Sequence, residues 1–122
     1  MRKITVETEA PKIEINGIEF QYRMGDGEIY WAGFDVLAKC AALNVDDHSA
    51  VMYAIGMVCS VIDDAIGPGA MAKIMQGRPV FMHIAIKVLN GIMDDCMSRY
   101  SAYIRREYTG GRKNAKIQPV RA

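Results

Sequence analysis

The sequence changes its hydrophobic period once, and that change limits the folds open to it. Ile13 and Ile15 alternate with Glu14 and Asn16; after the turn, Ile18, Phe20 and Tyr22 alternate with Glu19, Gln21 and Arg23. Alternation places the apolar set on one face of a strand. Asn16-Gly17, at the middle, suits the positive φ angles of a two-residue type I′ turn, so the segment reads as a β-hairpin. Met24-Gly25-Asp26-Gly27-Glu28 breaks the pattern, and beyond it the apolar residues recur at three- and four-residue spacing. Two strands are marginal alone and need another layer over their apolar face. The expected fold class is therefore α+β: an N-terminal β-hairpin packed on a mainly α-helical domain of about four helices.

The first helix is expected over Ile29 to Leu43, with Trp31, Phe34, Leu37, Ala38 and Ala41 as its stripe and Asn44 as its stop. Asp46 and Asp47 stand at the head of the second, Ser49 to Ile66, where acids favour the positive end of a helix. Val51, Ile55, Val58, Ile62 and Ala65 make one face of it, and Met52, Cys59 and Ile66 widen that face. Such a helix belongs at the centre of a fold. Gly67-Pro68-Gly69 ends it. A short helix, Ala70 to Gln76, stops at Gly77. Pro79 fits the first turn of a long helix to Tyr108, striped by Phe81, Ile84, Val88, Ile92, Cys96, Tyr100 and Tyr103. Gly91 inside it costs about 1 kcal/mol against Ala, which predicts a close neighbour there.

At 122 residues the chain is sized for one domain. Its parts are a polar lead over 1–11, the domain over 12–108 and a tail over 109–122. With 51% hydrophobic and 24% charged residues it is not a wholly disordered sequence. Fifteen basic against fourteen acidic residues leave +1, so no global field points to nucleic acid or an anionic membrane. All fourteen acids lie before residue 109, while the tail holds four basic residues, Arg112, Lys113 and Lys116 among them. Cys40, Cys59 and Cys96 lack the spacing of a disulfide framework or a zinc site. The first residues reach Glu7 before any apolar run, and no such run approaches the roughly eighteen residues of a span. These features lead us to expect a cytoplasmic protein in a reducing compartment, with no membrane partner.

Three acidic pairs, Asp46-Asp47, Asp63-Asp64 and Asp94-Asp95, raise the question of a metal-dependent hydrolase. Neighbouring helical residues point about 100° apart, whereas metal sites in bundles use ligands three or four residues apart. Solvated helix faces explain these acids better. His48 and His83 could join a serine or cysteine only through tertiary contacts, and Gly25-Asp26-Gly27 and Gly67-Pro68-Gly69 lack the lysine and serine of a phosphate-binding loop. The basic tail, without interleaved aromatics, suits weak contacts at most. No catalytic or metal-binding residue and no cofactor are assigned.

The methionines are more informative. Seven of them, Met52, Met57, Met71, Met75, Met82, Met93 and Met97, fall on the expected helices. Methionine fills cores, and it also serves surfaces that accept varied apolar partners. Tyr100, Tyr103, Ile104 and Tyr108 continue the long helix past the expected core. With Met93 and Met97 they form the expected partner-binding surface, and Arg112, Lys113 and Lys116 are the candidate basic-tail contacts.

The order of parts also resembles a known family. An Ile-Asn-Gly hairpin, two helices, the segment Val61-Ile62-Asp63-Asp64-Ala65-Ile66-Gly67-Pro68-Gly69-Ala70-Met71-Ala72-Lys73-Ile74-Met75, a long helix and a basic tail resemble the small tail assembly chaperones of long-tailed phages and prophages of Gram-positive bacteria. The likeness runs from about Lys12 to Lys116. It implies a non-enzymatic protein, in a bacterial host cell, that binds the aggregation-prone tape measure protein and recruits the major tail protein, with self-association as a homo-oligomer expected from the exposed apolar surface. Two other readings stay open on the residues alone. One is a small helical metal-dependent hydrolase using Asp63, Asp64, Asp94 and Asp95. The other is a nucleic-acid-binding prophage protein using Arg105, Arg106, Arg112, Lys113 and Lys116.

Overall fold

A computed structural model describes residues 1–105, apart from the side chain of Tyr103. Strands β1 (Lys12–Ile15) and β2 (Ile18–Gln21) are followed by helices α1 (Asp26–Ala41), α2 (His48–Ile66), α3 (Ala70–Met75) and α4 (Met82–Arg105). The architecture is the expected α+β hairpin-plus-helices fold. The tail, with Tyr108, Arg112, Lys113 and Lys116, lies outside the described residues.

Asn16 and Gly17, at φ 53° and 79°, form the turn that this dipeptide favours. The antiparallel register pairs Ile13 with Phe20 and Ile15 with Ile18, so both strands turn their apolar residues to the same side. Phe20 and Tyr22 are buried and Ile13, Ile15 and Ile18 half-buried. The Arg23 amide donates to the Ala65 carbonyl at 2.8 Å, which ties the hairpin's exit to the end of α2.

Helix ends obey local chemistry. The Asp47 carboxylate accepts from the Ala50 amide at 3.1 Å and caps α2. Asp63, in the last turn of α2, reaches across Gly67-Pro68-Gly69 and accepts from the amides of Gly69 (3.2 Å) and Met71 (2.9 Å). The donors that a phosphate would need at that loop are already satisfied by a carboxylate.

The core joins Ile29 and Val36 of α1, Val58, Ile62, Ala65 and Ile66 of α2, Met71 and Ile74 of α3, and Ala85, Leu89, Ile92, Met93 and Cys96 of α4. Four expectations are corrected. The long helix begins at Met82, so Pro79 and Phe81 precede it, and Phe81 is exposed. Gly91 has no close neighbour: nothing lies within 4 Å of where its Cβ would stand. The close approach is at Gly33, where a Cβ would meet the Met93 Sδ at 2.5 Å. Helix α2 is not central along its whole length: Met52 and Tyr53 in its first turns stand in solvent, and burial is continuous only from Ala54 and Val58 onward along one face. Among the described residues α2 alone has the length and composition of a membrane span, a match that the sequence alone did not suggest. Its second half is nevertheless packed in the core.

Candidate functional site

The largest correction concerns α1. The stripe expected from the sequence as its packing face, Trp31, Phe34, Ala38 and Ala41, is exposed, with only Leu37 half-buried. Ile29, Gly33 and Val36 are buried instead. At about 100° per residue these two sets lie on opposite sides of the helix. Gly33 gives the reason. Its missing side chain lets α4 approach until Met93 fills the gap, which favours the slimmer face, whereas Trp31 and Phe34 would hold the helices apart.

Trp31 and Phe34 are therefore 66% and 53% exposed. With Tyr30 they form one aromatic cluster, Trp31 edge-on to both neighbours at 5.8 Å and Tyr30 stacked with Phe34 at 6.4 Å. Helix α4 runs antiparallel beside α1 and adds to this surface. A cleft of about 260 Å³ between them is lined by Tyr30, Trp31, Met97 and Tyr100, with Asp26 and Gly27 at its end.

Of the residues expected to bind partners, Tyr100 (55% exposed) and Met97 (37%) reach this cleft, and Ile104 is half-buried further along α4. Met93 does not belong to the surface: it is 8% exposed, packed against Gly33 as core filler. The backbone of Tyr103 is helical. Tyr108 lies outside the described residues. Sequence reasoning missed Trp31 and Phe34 as surface, and half-buried Tyr30 as their neighbour. The available signal was that α1 carries two apolar sets at helical spacing, and two faces cannot both be buried in so short a chain.

Beneath the cleft sits a polar clamp. The Arg99 guanidinium donates twice to Asp26, from Nη2 at 2.6 Å and Nε at 3.2 Å, and once to Asp95, from Nη1 at 2.9 Å. The Tyr22 hydroxyl donates to the same Asp95 oxygen at 2.7 Å, and the guanidinium lies 4.8 Å over the Tyr22 ring. Four groups thus join hairpin, α1 and α4. Burial pushes the Tyr22 hydroxyl above its ordinary range, reinforced by its bond to Asp95. Burial, then the charge of Asp26, pushes the Cys96 thiol up to about 11. The bond to Asp26 raises Arg99 further still. Each group is held in its resting protonation state, which suits a brace and not a nucleophile or general base.

The acidic residues considered as metal ligands are used in these ways: Asp63 as a cap and Asp95 in the clamp, with Asp64 and Asp94 exposed. Among the described residues no three His, Cys, Asp or Glu side chains gather as a ligand set. A larger groove of about 650 Å³ runs between β1 and α4, walled by Ile13, Ile15, Ile84 and Val88 and opened by Gly91. Compared with models of known families, with curated proteins and with solved structures, the chain matches none.

Proposed function

We propose that this chain is a non-enzymatic binding protein, a phage or prophage tail assembly chaperone-like protein that engages the tape measure and major tail proteins. The observation that carries the reading is the aromatic surface of Tyr30, Trp31 and Phe34 continued by Met97 and Tyr100. Exposed aromatic and methionine side chains on a rigid two-helix platform suit the apolar face of an amphipathic helix. A tape measure protein, long and helical, offers many such faces. The clamp below keeps α1 and α4 in register, so the surface is preformed. The resting states of Cys96 and Tyr22 and the structural use of Asp63 and Asp95 also favour binding over chemistry.

The test is co-expression with a tape measure protein, the long helical partner that this reading names. A soluble complex is expected, and recovery of that partner only as aggregate would overturn the reading. Aromatic anchors that act as hot spots are worth about 2 kcal/mol each, so Trp31→Ala with Tyr100→Ala should release the partner.

A further inference from the structure

The outer face of α1 has a periodicity that contact with water does not require. Gly27, Trp31, Phe34, Ala38 and Ala41 succeed one another at alternating four- and three-residue intervals, and all five are exposed. That is the spacing with which one helix seats along another. Their sizes are unevenly placed: the two bulky side chains precede the two alanines.

We infer that this face is covered by a second copy of the chain, its α1 lying antiparallel across a two-fold axis that passes midway between Phe34 and Ala38. Parallel pairing would set tryptophan on tryptophan and alanine on alanine, overfilling one end and leaving a void at the other. Antiparallel pairing about this axis sets Trp31 against Ala41 and Phe34 against Ala38. Because the interface is isologous, each large-to-small contact is made twice, and both ends close. Asp35, at the edge of the face, is already paired with Lys39 at 3.1 Å, so no lone charge is trapped.

The area suits a reversible dimer. An aromatic side chain presents about 150 to 250 Å². At 66%, 53% and 55% exposure, Trp31, Phe34 and Tyr100 leave roughly 260 to 440 Å² per copy. Two copies reach roughly 500 to 900 Å² before the alanines and Met97 are added, close to the ~1,000 Å² at which specific interfaces begin. An interface of this size belongs to the weak, reversible class, so dimerisation is expected between micromolar and millimolar concentrations. The inference concerns this chain alone and does not depend on the tail-assembly reading.

Trp31 is the only tryptophan in the sequence, so its emission reports this face. Sedimentation equilibrium and Trp31 emission of the full chain, measured from about 1 μM to about 1 mM, should show a monomer-to-dimer transition and a blue shift with one common midpoint. Ala38→Glu, at an exposed helical site, should weaken the dimer at least about tenfold with its circular dichroism unchanged. Phe34→Lys should do the same. An equimolar mixture of the two variants should dimerise better than either alone, because the antiparallel register sets the lysine of one beside the glutamate of the other. A monomer at ~1 mM, a dimer untouched by Ala38→Glu, or a mixture no better than its folded components would overturn the proposal.

Discussion

Arg99 joins two elements through charge and a third by stacking over Tyr22. Arg99→Ala would leave Asp26 and Asp95 partly dried with no counter-charge, and a loss of about 2 kcal/mol is expected in urea unfolding. Arg99→Lys should recover only part of it, since an ammonium cannot make the two parallel bonds to Asp26. The clamp also sets an alkaline limit. Tyr22 and Cys96 both have proton affinities raised by folding. Between the unfolded value of 9.0 and the folded value of about 11 for Cys96, the unfolded chain loses its proton first. Stability is thus fully present below pH ~9 and falls as the pH rises toward ~11, with Tyr22 adding to the loss above its own unfolded value. The urea midpoint should be lower at about pH 10.5 than at about pH 8; equal midpoints would contradict this. At Gly33 an added Cβ meets Met93 at 2.5 Å. Because both the Met93 Sδ and its Cγ, at 2.9 Å, would have to shift, overpacking of about 2 kcal/mol outweighs the helix-propensity gain of about 1 kcal/mol. Gly33→Ala should therefore destabilise the native chain, yet stabilise one that already carries Met93→Ala.

At the scale of elements the two interior glycines of α1 and α4 have opposite roles. Gly91 opens onto the groove with nothing within 4 Å, so Gly91→Ala should stabilise the fold by up to about 1 kcal/mol, seen as a higher thermal midpoint. A lower midpoint would show a neighbour the geometry lacks. The same contrast shows what the sequence made legible. The hairpin, its Asn-Gly turn, the order of four helices and the Gly-Pro-Gly break are local events written in neighbouring residues, and the structure has all of them. Faces are a different matter. Helix α1 has two apolar sets at the same spacing, and periodicity alone does not rank them; the choice is made by α4, which can come close only over Gly33. Pro79 gave a start that Phe81 overrode: its carbonyl, not that of Gly77 or Arg78, accepts from Ile84 and Ala85 as α4 begins. The clamp was hidden because Asp26 and Arg99 stand 73 residues apart. Tyr100 and Met97 were legible as surface since they extend a stripe beyond the length the other helices can cover, whereas Met93, four residues before Met97, falls within that length.

Over the whole molecule, a braced hairpin and helix pair holds out one aromatic face. If a second copy covers that face when the chain is alone, a helical partner has to displace it, and the two events compete for the same residues. Adding the partner should therefore convert dimer to a complex containing single copies, with sedimentation as the readout. The face is also the centre of the functional account, and Trp31 offers a direct view of it. The decisive measurement is Trp31 emission of the unaltered chain, held at a concentration below its dimer midpoint, during titration with the tape measure protein proposed as its partner. A saturable blue shift that tracks complex formation by sedimentation is expected, since an indole 66% exposed becomes covered. A complex that forms while Trp31 emission stays unchanged would place the partner elsewhere and contradict the account.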